Sequence, residues 1–244
     1  MYQQPAARDD SDLVANFLRN VRGAIPVTIE QIDVMLRLLA EARDGAGVAN
    51  FLDLGCADGV LSSAILNEFS DARGVMVDFS EGMIDRARQQ LEAHAARVEY
   101  VCADYTKSGW VREIQHALPF DAVVSGFPSQ HSADERKRRL FGEIFAMLKP
   151  GGIFISVEHV TSATRWTESV WDDCMIDAIF GKQLSDSPGR SRAEIAREYY
   201  AGTDGPRHAP LEVQCDWLRE CGFENVDCFL KVSELAVFGG QRPA

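Results

Sequence analysis

The sequence predicts an α/β domain built on a parallel sheet with helices on both faces. Three observations predict it. Short apolar runs rich in β-branched residues alternate with segments of helical period over most of the chain. The order strand–helix–strand repeats, which pairs strands in parallel through crossover helices. Breakers fall between the two patterns, as in Lys149-Pro150-Gly151-Gly152, a turn that stops one helix and launches a strand.

Taken in order, residues 13–21 and 29–42 read as helices. In the second, Ile32, Met35, Leu36 and Leu39 recur at helical spacing and make one apolar stripe. Strands are expected at 51–54, 74–77, 98–102, 121–125 and 153–157, with helices at 61–69, 83–93 and 134–147. The alternation breaks after His159. Trp166, Val170, Cys174, Ala178 and Ile179 keep helical spacing through 163–180. A polar connection (185–190), a second helix ending at Tyr200 and a breaker-rich loop (202–210) follow. Residues 161–210 are therefore expected to form a helical cap over one end of the sheet. A helix at 211–221 is closed by Gly222, and 223–238 reads as two strands that finish the sheet. One domain is expected over 1–244. It comprises an N-terminal helical lid (1–45), a cofactor-binding core (46–160), the cap, and a C-terminal helix with strands (211–244). Leu235 and Val237 read as an exposed face of the terminal strands, available to a second copy in a homodimer.

Composition narrows the function. Of 244 residues, 46% are hydrophobic and 25% charged, the mix of a globular protein, which excludes disordered, collagenous and disulfide-scaffold classes. The 25 basic and 37 acidic side chains leave a net charge of −12, which argues against a broad grip on nucleic acid. No run approaches the roughly 18 apolar residues of a membrane helix. The start, MYQQPAARDDSD, lacks the basic and apolar regions of a signal peptide. Six cysteines without a C-x-x-C pair read as reduced thiols, so a cytoplasmic protein is expected. Cys215, Cys221 and Cys228 match no zinc spacing, and no metal is expected.

The chemistry concentrates at Phe51-Leu52-Asp53-Leu54-Gly55-Cys56-Ala57-Asp58-Gly59, a strand, an acid and G-x-x-x-G opening a helix. Glycine lets the backbone turn sharply and approach a ligand closely. Ligands of such sheets sit outside the carboxyl ends of the strands, at the switch point. The spacing is neither G-x-G-x-x-G nor a P-loop. A carboxylate before the first glycine suits a cationic amino-acid ligand better than a pyrophosphate. Asp78 ends the second strand, about 20 positions past the loop, where an acid accepts both hydroxyls of a ribose. Asp104 follows the third, placed to accept from an adenine amino group. Each aspartate alone reads equally as a helix cap; three ending successive strands point to a nucleoside.

Together DLGCADG, VDFS, CADY, FDAVVSGFPSQH and LKPGG resemble the class I S-adenosylmethionine-dependent methyltransferases, over about 50–157. The resemblance implies a Rossmann-like seven-stranded sheet in the order 3-2-1-4-5-7-6, strand seven antiparallel. It also implies S-adenosyl-L-methionine as cofactor. Carried over, Asp53, Gly55, Cys56 and Gly59 form the loop at the methionine part, Asp78 with Phe79 the ribose end, and Asp104 the adenine acid. Met83 and Tyr105 would flank the adenine, and the backbone from Ser125 to Phe127 would line the sulfonium. A narrower likeness, to the carboxy-S-adenosylmethionine synthases of tRNA wobble-uridine modification, covers 14–40 and 217–239. That subfamily has Pro-Gly-Tyr where this chain has Pro26-Val27-Thr28, and an arginine near the place of Arg197.

Methyl transfer to a small-molecule N, O or S nucleophile is the expected reaction. The alternatives are carboxy-S-adenosylmethionine synthesis, with prephenate as carboxyl source, and a non-catalytic binding module. His131, after the fourth strand, and His159, ending the fifth, are candidate catalytic bases. Arg22, Trp166, Trp171, Tyr199 and Tyr200 are candidate acceptor contacts, though aromatic residues at this helical spacing more often mean core packing. Glu135-Arg136-Lys137-Arg138-Arg139 reads as a solvated helix face.

Overall fold

A computed structural model describes residues 28–126, 134–186, 189–202 and 209–244. The helix expected at 13–21 lies outside the described residues. The strands are β1 (Asn50–Leu54), β2 (Arg73–Asp78), β3 (Val98–Cys102), β4 (Phe120–Gly126), β5 (Leu148–His159), β6 (Glu224–Val232) and β7 (Leu235–Gln241). They form one sheet in the order β3-β2-β1-β4-β5-β7-β6. Neighbours among β1 to β5 pair in parallel, and β7 runs antiparallel to both β5 and β6. The chain leaves β1 for one edge and returns at β4 for the other, which puts the switch point between β1 and β4.

Both faces of the sheet are covered, because successive strand residues point to opposite sides. On one face Leu52, Val123, Phe154 and Phe238 pack with Leu140, Phe141 and Ile144 of α4 (Asp134–Met147) and Leu218 of α7 (Leu211–Glu220). On the other, Met76, Val124, Ile155 and Val237 pack with Met35 and Leu39 of α1 (Thr28–Gly45), Ile65 of α2 (Val60–Glu68) and Ile84 of α3 (Glu81–Gln90). The apolar stripe of α1 is thus sheet core. Among the described residues no helix is long and apolar enough to cross a membrane.

Three local features differ from expectation. The helix at 83–93 stops at Gln90 and tightens into a 3₁₀ segment, Glu92–Arg97; another, Trp110–Ala117, precedes β4. Residues 149–152, expected as a turn, belong to β5, whose register against β4 shifts between Phe120 and Ala122. A Cβ on Gly152 would stand 2.8 Å from the Lys149 carbonyl, so only glycine fits this irregularity. Finally, Leu235 and Val237 are only 3% and 0% exposed. Their reading as a dimer contact is corrected: β7 is an interior strand, hidden on both faces and paired on both edges.

The chain divides into two compact units, one holding Thr28–Ala163 and Pro206–Ala244, the other holding Thr164–Gly205. The second contains α5 (Arg165–Asp186) and α6 (Arg192–Gly202). Trp171, Ile176 and Ile195 are buried in it, and Arg192 bridges Asp173 and Asp177.

Candidate functional site

The turn after β1 is built from left-handed backbone. Gly55, Ala57 and Gly59 have φ of 73°, 49° and 81°. The position favours glycine for its conformation, and a Cβ on Gly59 would also crowd the Leu91 side chain, 3.1 Å from Cδ1. Ala57 adopts a conformation costly for a residue with a Cβ, the kind of strain that collects at binding sites. The amides of Gly55 and Cys56 donate to the Val77 carbonyl at 2.8 and 3.0 Å, which stitches the turn to the end of β2.

Three carboxylates lie at or just past the carboxyl ends of β1, β2 and β3. Asp53 is 1% exposed and accepts from Ser62 Oγ at 2.5 Å. Asp78 is nearly as buried, and its two oxygens accept from the amides of Ala57 and Ser80, each at 3.0 Å. One side chain therefore fixes both the glycine turn and the start of α3. Asp104 is partly exposed; it accepts from the amide and hydroxyl of Thr106 and pairs with Lys107 at 2.8 Å. Burial opposes its ionisation, but the bonds from Lys107 and Thr106 hold its carboxyl below the usual range.

The neighbours register the charge. Burial first, then the charges of Asp53 and Asp78, push the Cys56 thiol well above its ordinary value. Burial and then Asp78 do the same to the Tyr105 phenol. The carboxyl end of β1 to β3 is thus a region of negative potential, and a ligand bearing cationic or hydrogen-bond-donating groups fits it. The residues present suit S-adenosylmethionine on that ground.

The remaining candidates fall in several places. Phe79 is half-exposed on the β2–α3 connection and Met83 is buried in the first turn of α3, which Ser80 caps by accepting from the Met83 amide. The Tyr105 ring is a core side chain, edge-on to Trp110 with centroids 6.5 Å apart. Ser125 Oγ donates to the Leu54 carbonyl at 2.6 Å and ties β4 to β1 at the switch point. Trp171 is buried, Trp166 and Tyr200 are exposed, and Tyr199 donates to Asp172; all four lie in the 164–205 unit. His131 and Arg22 lie outside the described residues.

His159 ends β5 with its Nε2 2.9 Å from Glu234 Oε2. Glu234, in the β6–β7 turn, is buried and also accepts from the Ser162 amide at 2.9 Å. Burial opposes its charge, yet the bonds from His159 and Ser162 hold its carboxyl below the usual range. Sequence reasoning missed Glu234; the signal available was an acid set directly before the apolar run Leu235-Ala236-Val237-Phe238. The charge run on α4 needs correction as well. Arg138 and Arg139 are solvated, but Lys137 is buried against Glu158 at 2.6 Å, and Arg136 turns inward to the β3 loop. Among the described residues no group of three or more His, Cys, Asp or Glu is placed to hold a metal ion.

Comparison with known proteins agrees with this geometry. Residues 51–152 match the family described as a methyltransferase domain. The chain is 30% identical over 210 residues to a demethylmenaquinone methyltransferase of Clavibacter sepedonicus, covering 84% of this chain and 79% of that one. It is 32% identical over 151 residues to a carboxy-S-adenosyl-L-methionine synthase of Shewanella loihica, covering 60% of this chain and 56% of the relative. An O-methyltransferase family protein from Burkholderia thailandensis shares the fold, with a TM-score of 0.64 at 17% identity over 99% of this chain and 65% of that one. Sheet order, glycine turn, strand-end carboxylates and sequence likeness converge, and the chain belongs to the class I S-adenosylmethionine-dependent methyltransferases.

Proposed function

We propose that the protein transfers the methyl group of S-adenosylmethionine to a small-molecule N, O or S nucleophile. The observation that carries this reading is the placement of Asp53, Asp78 and Asp104 at the carboxyl ends of three adjacent parallel strands, around the Gly55–Gly59 turn. Asp53 with the turn would hold the methionine part, Asp78 the ribose hydroxyls and Asp104 the adenine amine, with Met83 and Phe79 beside the nucleoside. When bound, the cofactor supplies a methyl group already electrophilic on its sulfonium. The chain's own residues then have to align the nucleophile and exclude water. His159, oriented by Glu234, is assigned as the base for a nucleophile that carries a proton. The net charge of −12 supports a small acceptor over nucleic acid.

A second reading, carboxy-S-adenosylmethionine synthesis, is supported by the likeness to the Shewanella synthase. One experiment separates the two. Freshly purified protein is denatured and the released small molecules are identified by mass spectrometry. S-adenosylmethionine or S-adenosylhomocysteine supports methyl transfer, and the carboxylated sulfonium supports the synthase. No nucleoside released, together with no heat on calorimetric titration with S-adenosylmethionine, refutes both.

A further inference from the structure

We infer that Arg136 is the positioning residue for adenine recognition, acting through Asp104; the inference rests on the cofactor assignment above. Asp104 stands on a short loop after β3, and the direction of its carboxylate depends on the path of residues 104–107. Backbone carbonyls in such a loop need partners if it is to hold one conformation. A single side chain supplies them. Arg136 Nη2 donates to the carbonyls of Tyr105 and Lys107 at 2.6 and 3.2 Å, and Nε donates to that of Thr106 at 3.0 Å.

The guanidinium is itself held. Glu143, one helical face along α4, accepts from Arg136 Nη1 and Nη2 at 2.9 and 2.8 Å. Glu143 Oε2 also accepts from Trp110 Nε1 at 2.8 Å, and the Trp110 ring meets the ring of Tyr105, next to Asp104. Three consecutive carbonyls are thus fixed by a planar fork that is fixed in turn from α4. The local bonds of Asp104, from Thr106 and Lys107, come from the same clamped residues. Lysine cannot replace the fork, because one ammonium lacks the rigid geometry that spans several acceptors at once. The Lys107 pair, on an exposed side chain, gives way readily to a ligand amine.

A mere fastener of the fold and a positioning residue differ in what they do to ligand choice. The test compares calorimetric affinities for S-adenosylhomocysteine and S-inosylhomocysteine, which differ in having an amino or an oxo group at C6. A carboxylate aimed at C6 accepts from the amine and repels the oxo group, so the wild type should prefer the adenine compound by about tenfold or more. In Arg136→Lys that preference should fall to about threefold or less, with the loss confined to the adenine compound. Glu143→Gln, which keeps the side chain's shape, should shift it in the same direction by a smaller factor. Retention of the wild-type preference in both variants overturns the inference. So does failure of both to fold, since Arg136 would then be a staple of the domain. A wild type that binds both compounds equally shows instead that Asp104 is not the adenine acid, and the inference falls with that assignment.

Discussion

The two ends of the sheet bury carboxylates in opposite ways. At the amino end Asp121, near the start of β4, has a fully buried side chain that faces two cations and two amides. It accepts from Lys149 Nζ at 2.9 Å, from the amides of Asn50 and Ala49 at 2.8 and 3.2 Å, and from Arg43. Burial opposes its ionisation, but the bonds from Lys149 and from the amides of Asn50 and Ala49 hold its carboxyl below the usual range. It joins the end of α1 to β1, β4 and β5. At the carboxyl end the bonds to Asp53 and Asp78 come from a hydroxyl and from amides, and their charge reaches Cys56 and Tyr105. A fully buried carboxylate matched by cations, as at Asp121, fastens the fold. One whose charge is felt by its neighbours is, on the proposed reading, a binding group.

The largest effect should come from breaking the fastener. Asp121→Ala removes the acceptor of four donors and leaves the partly exposed Arg43 and Lys149 facing each other, which should cost about 3 kcal/mol in urea unfolding. Affinity for S-adenosylhomocysteine in the folded variant should stay within about twofold, since sites this far apart add independently. The pH dependence follows from the lowered carboxyl. Its contribution is complete above the unfolded value of about 4 and is lost as pH falls through the folded value. The wild type should therefore lose stability on acidification below about pH 4, and Asp121→Asn should lose less. A stability loss below about 1 kcal/mol would show that Asp121 does not fasten the fold.

Asp78→Ala should reverse the balance. Loss of the ribose acceptor is expected to weaken S-adenosylmethionine binding by about 1.5–3 kcal/mol in calorimetry. Unfolding should change less than in Asp121→Ala, because the donors left behind are the amides of Ala57 and Ser80 rather than two like-charged cations. An unchanged affinity with a large stability loss would place Asp78 among the fasteners.

The same contrast explains what the sequence makes legible. Strands β1, β2, β4 and β5 are buried on both faces and stand out as apolar runs; Asp53, Asp78 and Asp104 stand out because they interrupt or end such runs. Local chemistry announces these residues. Arg136 and Lys137 were hidden inside a charge run because their partners, the loop at 105–107 and Glu158, are distant in sequence. Glu234 was missed for the same reason, its histidine being 75 positions away. Leu235 and Val237 misled because a terminal strand in sequence is an interior strand in space, and the order of the last two strands is not written in their periodicity.

The smallest expected effect tests where strain belongs in this scheme. Ala57 and Arg43 both hold a positive φ, 49° and 54°, one at each end of the sheet. The left-handed conformation costs a residue with a Cβ about 1–2 kcal/mol, and glycine removes that cost while adding about 0.5–1 kcal/mol of chain entropy to the unfolded state. Ala57→Gly should therefore leave stability within about 1 kcal/mol of wild type, on the favourable side. Arg43→Gly relieves the same backbone but deletes a cation from Asp121, and thermal unfolding should show a clear loss. Cofactor affinity should move the other way. Ala57 donates its amide to Asp78, and a glycine there samples more conformations before the ligand arrives, so binding should weaken by a few tenths of a kcal/mol or more. If Ala57→Gly instead binds S-adenosylhomocysteine as tightly as wild type, the strain in the turn is incidental to the site. Preorganisation then rests on the carboxylates alone.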